Sequence, residues 1–190
     1  PDAKFIHIIR DGRDVVNSAR KRWKAELDIK YTLEKARYVP VTDIPYYGFN
    51  YLFNRVYRLF SKEGRLSFWG PKFEGMNEIL ETSSLIEVCA HQWKRCVEKA
   101  SQDFKNINDQ RVQEIRYEEL VTDSEKVIQE LCKFVGVEIS DSKKTELSDM
   151  IHAESAGKWK KQLNEQEIDQ IVTILNETLT ELGYDEKYIV

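Results

Sequence analysis

The chain of 190 residues is 41% hydrophobic and 11% aromatic, and its 33 acidic against 29 basic side chains leave a net charge of −4. This composition excludes a disordered chain and a surface that grips nucleic acid over its whole extent, while leaving room for one core and a local basic pocket. A small anionic ligand fits such a balance better than a polyanion does.

Cys89, Cys96 and Cys132 are odd in number and include no C-x-x-C pair. They point to neither a disulfide framework nor a zinc or other metal site, but to buried small apolar residues. No apolar run is long enough to span a bilayer and no signal peptide is visible, so no transmembrane segment is predicted and the cytoplasm is the default compartment. The chain starts at Pro1 and almost at once enters an apolar run, Lys4 to Ile9. That run reads as a central parallel strand with both faces covered, and residues 1–190 therefore as a single domain truncated at its N-terminus.

The first element lies in KFIHIIRDGRDVVNSA, residues 4–19. Phe5, Ile6, Ile8 and Ile9 form the strand, Gly12 permits a tight turn, and Ala19, Trp23 and Leu27 give a helix from about Arg13 to Leu27 its apolar stripe. Asp11 or Asp14 can take orphan amides at the helix start. A helix N-terminus attracts phosphate or sulfate, and Arg10 at the carboxyl end of the strand, with Ser18 on the helix, can converge on one cluster of oxygens. Arg13, Arg20, Lys21 and Arg22 add a positive field on a mostly solvated helix face. Spacing alone leaves open the alternative in which Arg10 pairs with Asp14 and Ser18 is a surface hydroxyl.

This segment resembles the 3′-phosphate-binding segment of sulfotransferases that use 3′-phosphoadenosine 5′-phosphosulfate (PAPS), and its Arg-Asp-Gly-Arg-Asp-Val form is closest to the bacterial and tyrosyl-protein-like branches. The resemblance implies an α/β, P-loop-containing nucleotide-hydrolase-like fold, assigns Arg10 and Ser18 to the 3′-phosphate, and makes adenosine 3′,5′-bisphosphate the product. It also implies a hydroxyl or amine as acceptor.

Residues 31–84 are crowded with aromatic side chains and punctuated by Pro and Gly. They suit either an acceptor pocket or an aromatic mini-core over the sheet. FWGPKFEGM, residues 68–76, resembles the Trp-Gly-Pro segment of the bacterial-type enzymes, which places Trp69 and Phe73 toward substrate. A helix follows over residues 87–100, with Cys89, Trp93 and Cys96 or Val97 on one face, and with His91 as either a base or a structural histidine.

Arg111 to Tyr117 reads as a second strand. The helix after it has Thr122 and Glu125 as a capping box, Val127, Leu131, Phe134 and Val135 as core stripe, and Gly136 as its cap. This stretch resembles the family's Tyr-Glu-Asp-like step, which puts Tyr117 near the adenine; its alternative is a tyrosine closing the sheet edge. SAGKWKKQL, residues 155–163, resembles the late loop that closes over the nucleotide, through Gly157, Lys158 and Trp159, although His152, Ala153 and Glu154 stand where fuller versions carry Arg-Lys-Gly. Asn164 and Glu167 then cap a last helix whose Ile168, Ile171, Leu175, Leu179 and Leu182 face a core before Gly183.

No G-x-x-x-x-G-K-[ST] run occurs in the sequence, so the phosphosulfate loop and the catalytic base are expected upstream of Pro1 and no catalytic residue is assigned. The residues themselves are expected to bind adenosine 3′,5′-bisphosphate weakly and transfer no sulfate. Two strands amid long helical stretches predict a helix-rich chain with a small parallel sheet remnant. The alternatives are a non-catalytic nucleotide- or partner-binding relative and, behind it, a P-loop kinase, which needs a magnesium site that nothing here resembles.

Overall fold

The computed structural model describes residues 3–24, 40–61, 68–151 and 156–184. Leu27, Tyr31, Tyr38, Arg65 and residues 152–155 fall outside them. In chain order the elements are β1 (Phe5–Ile9), α1 (Gly12–Lys24), α2 (Ile44–Phe60), α3 (Met76–Thr82), α4 (Leu85–Phe104), β2 (Val112–Arg116), α5 (Tyr117–Thr122), α6 (Ser124–Val135), α7 (Asp141–Asp149), α8 (Trp159–Gln162) and α9 (Glu165–Glu181). They divide between two compact units, residues 1–17 with 72–190 and residues 18–71.

In the first unit β1 and β2 form a two-stranded parallel sheet, with Phe5 opposite Val112 and Ile9 opposite Arg116. The predicted helix-rich chain with a small parallel sheet is observed. The prediction of a covered central strand is not: Ile6 is 44% and Ile8 51% exposed, although Ile9 and Ile115 are buried. Alternation explains the difference, because Phe5 and His7 point to the face where Phe104 packs, with ring centroids 6.1 and 5.0 Å away, and Ile6 and Ile8 point to the other.

The core sits where α4 and α9 pack together against the start of α1. Both long helices begin with reciprocal caps. Asn164 and Glu167 form the predicted box at α9, and Ser84 and Glu87 form one at α4. Ile171, Leu175 and Leu179 of α9 are buried, as are Cys89, Trp93 and Val97 of α4, which sit on one face at successive i, i+4 steps. Cys96 falls outside that stripe and is exposed, and Cys132 is half-buried, so burial holds for Cys89 alone.

Gly12 has a different role from the one its sequence context suggests. It is the first residue of α1, it is not among the positive-φ glycines, and a Cβ there would lie 2.7 Å from Leu175 Cδ1 and 2.9 Å from Trp93 Cε3. Lack of a side chain, rather than a special turn, lets α1 approach α9 and α4 this closely.

Between β2 and α6 the predicted Thr122–Glu125 box is absent. Thr122 ends α5 with its hydroxyl donating to the Glu118 carbonyl at 2.8 Å, and Asp123 precedes α6 without a side-chain cap. The hydroxyl has a nearer acceptor in the preceding helical turn. Val127 and Ile128 anchor α6, Leu131 and Phe134 are half-buried, and Val135 is 46% exposed, so the stripe is narrower than predicted. Gly136, at φ 87°, ends the helix as expected.

In the second unit Trp23 of α1 is fully buried and meets Phe68 edge-on at 6.1 Å, while Ala19 is half-buried. In α2, Phe49 stacks on Phe53 and Phe53 leans on Tyr57. Tyr46, Phe49, Leu52, Phe53, Val56, Leu59 and Phe60 are all exposed, so this face of α2 is not the inside of an aromatic mini-core. No helix among the described residues is long and apolar enough to cross a membrane.

Candidate functional site

β1 delivers Arg10 to its carboxyl end, and α1 begins two residues later at Gly12. The carboxylate of Asp11 accepts the Arg13 amide at 2.9 Å, capping the helix as expected of an aspartate there. The same carboxylate takes the Arg13 guanidinium through Nε at 2.9 and 3.1 Å and Nη2 at 2.8 Å. Arg13 is 1% exposed and lies over the Trp159 ring at 4.2 Å. It does not belong to a solvated positive face. Burial of both charges is tolerable only because each is met by several hydrogen bonds and by the ring.

Asp14 is also buried, and both its oxygens face a distant loop. Gly157 donates its amide to Oδ2 at 2.6 Å and Trp159 donates its amide to Oδ1 at 2.9 Å. Arg10 Nη2 stands 3.6 Å from Asp14 Oδ2, an ion pair beyond hydrogen-bonding range, and the Arg10 guanidinium lies over the Tyr117 ring at 4.7 Å. The Arg10 side chain is 26% exposed. Of the two arginines at this turn, Arg10 is therefore the one a solvent-borne anion can reach, and Arg13 is a structural cation.

A second web ties β2 into the same corner. Glu118, the residue after Tyr117, accepts the Asp11 amide on Oε1 at 2.9 Å and the Tyr184 hydroxyl on Oε2 at 2.8 Å. Burial, helped by the hydrogen bond to Glu118, pushes the Tyr184 phenol far above its ordinary range. Arg116 caps the end of α9 by donating to the Leu182 and Gly183 carbonyls and lies over the Tyr184 ring at 5.2 Å.

The turn thus brings together Arg10, Tyr117, Gly157 and Trp159, four of the residues the sequence singled out. Ser18, one residue beyond Asn17 in α1, is exposed and belongs to the second unit. Lys158 is exposed, with Gly157 half-buried and Trp159 buried beside it. Trp69 and Phe73 are each half-buried. Sequence reasoning missed the linking roles of Asp14, Glu118 and Tyr184. His91 lies on α4, half-buried, its pKa lowered by desolvation and by Arg95 and Lys94. Among the described residues no cluster of three or more His, Cys, Asp or Glu side chains is placed to hold a metal ion.

A parallel β-strand, tight junction and helix with a partly exposed arginine at the junction are those of an α/β protein. Residues 53–141, rather less than half of the chain, match the family model described as Sulfotransferase family. The matched stretch runs from within α2 to the start of α7 and contains Trp69, Phe73, β2 and Tyr117, whereas Arg10, Ser18 and Gly157 to Trp159 lie outside it. The chain matches no curated protein and no solved structure.

Proposed function

We propose that the chain is the nucleotide-binding part of a sulfotransferase whose donor is PAPS and whose acceptor is a hydroxyl or amine. One observation carries the reading: Tyr117, inside the stretch matching the family, lies beneath the guanidinium of Arg10, which belongs to the segment outside it that resembles a phosphate-binding motif. The donor set suits the nucleotide. A partly exposed guanidinium supplies bidentate hydrogen bonds to a phosphate, and an aromatic ring beside it supplies a face for a base. In this reading Arg10 and Ser18 hold the 3′-phosphate, Tyr117 faces the adenine, Gly157, Lys158 and Trp159 close over the nucleotide, and Trp69 and Phe73 face the acceptor. When bound, PAPS supplies the activated sulfuryl group and leaves as adenosine 3′,5′-bisphosphate.

The absence of a G-x-x-x-x-G-K-[ST] run in the sequence favours a companion reading, that these residues bind the nucleotide without transferring sulfate. Calorimetric titration with adenosine 3′,5′-bisphosphate, beside a transfer assay with radiolabelled PAPS, tests both. Arg10→Ala is expected to weaken binding by about 2–4 kcal/mol, the worth of a charge-assisted phosphate contact. A loss of only a few tenths would refute the assignment of Arg10, and measurable turnover would refute the companion reading.

A further inference from the structure

We infer that Asp14 is a positioning residue that locks the Gly157–Trp159 loop to the Arg10 turn, so that two segments far apart in sequence address one phosphate. The inference rests on the nucleotide reading above. The loop is held at two points rather than one, because Oδ1 and Oδ2 of Asp14 each accept a different backbone amide of it, from Trp159 and Gly157. Oδ2 is also the oxygen that faces Arg10 Nη2. A single buried carboxylate therefore holds the loop through two hydrogen bonds and faces the guanidinium with one of the same oxygens. Trp159 is further clamped by Arg13, which Asp11 holds in place, so the loop rests on a base that is itself ordered.

A carboxylate suits this task and a carboxamide does not. Both loop contacts are N–H donors, and Asp14→Asn would turn an NH2 group toward one of them, leaving a buried amide without an acceptor. The loop should then open locally while α4 and α9 stay packed on each other.

Amide exchange followed by NMR, on the chain as it stands and on Asp14→Asn, gives the first reading. Exchange at Gly157 and Trp159 should rise about tenfold or more, the effect of losing a charge-assisted hydrogen bond, with amides of α9 unchanged. Titration gives the second. Affinity for adenosine 3′,5′-bisphosphate should fall about tenfold while affinity for adenosine 5′-phosphate, which lacks the 3′ group, changes less than about twofold. A third reading needs no variant: saturating bisphosphate, but not the monophosphate, should raise protection of the Gly157 and Trp159 amides in the unaltered chain. Unchanged exchange in the variant, equal losses for the two nucleotides, or no added protection in the unaltered chain would each overturn the inference. Failure of the unaltered chain to bind either nucleotide would instead sink the nucleotide reading, and the inference with it.

Discussion

Replacing Gly12 with alanine tests whether this glycine is present for space. The new Cβ would sit 2.7 Å from Leu175 Cδ1 and 2.9 and 3.0 Å from two atoms of the Trp93 ring, whereas carbon atoms attract best at about 3.5–4.0 Å. Neither neighbour has room to withdraw: Leu175 is 0% and Trp93 7% exposed, and both lie between α4 and α9. Overpacking of this kind costs about 1–3 kcal/mol. Against it stands the gain from removing a flexible glycine, about 0.5–1 kcal/mol at most and smaller at a first helical position. The overlap wins, and Gly12→Ala is expected to be less stable by about 1–2 kcal/mol, lowering the melting temperature by about 2–4 °C for each kcal/mol in a chain of this size. Urea denaturation followed by far-ultraviolet circular dichroism measures it. An unchanged or higher midpoint would show that α1 does not approach the α4–α9 seam as described, and that the glycine answers to a turn after all.

Asp11→Ala should cost about 3–5 kcal/mol, because it leaves the Arg13 guanidinium buried without its counter-charge; a urea midpoint within error of the parent would contradict the buried pair. The raised Tyr184 phenol has a signed consequence. Its folded form stays protonated where the unfolded phenol ionises, so its contribution is intact below a pH of about 10 and declines as pH rises beyond that. Tyr184→Phe should flatten the alkaline decline in stability, and an identical alkaline limb in the variant would argue against this placement. His91 shifts the other way: burial and the neighbouring Arg95 and Lys94 disfavour its protonated form. Its contribution is present above a pH of about 6.5 and is lost as pH falls, so His91→Gln should soften the acid limb of a stability profile, and a steeper limb would reverse the sign assigned here.

Local patterns carried the elements well. The apolar run before Arg10, the second run before Tyr117 and the Asn164–Glu167 cap each specify their structure within a few residues, because the responsible interactions are short in sequence. Where they failed, a neighbour from elsewhere changed the balance. Gly12 looks like a turn residue until Leu175 and Trp93 are beside it. Arg13 looks like one more charge on a basic helix until Trp159, 146 positions later in the chain by number, covers it. The face of β1 carrying Ile6 and Ile8 reads as core from composition alone, yet remains exposed.

The acidic residues of the Arg-Asp-Gly-Arg-Asp segment are the clearest case. In sequence they invite a local reading, as caps or as partners of the adjacent arginines, and Asp11 satisfies it. Asp14 satisfies it only in part: it does pair with Arg10, as one reading of the sequence has it, but its hydrogen bonds come from amides 143 and 145 positions away, and no periodicity could announce them. That difference divides the two arginines as well. Asp11 commits Arg13 to the interior through three close contacts, whereas Asp14, already occupied by the loop, meets Arg10 only at 3.6 Å. That contact is Coulomb attraction across a distance too long for a hydrogen bond, in a partly solvated setting. The two carboxylates thus divide the arginines by depth, one buried at 1% side-chain exposure and the other partly exposed at 26%.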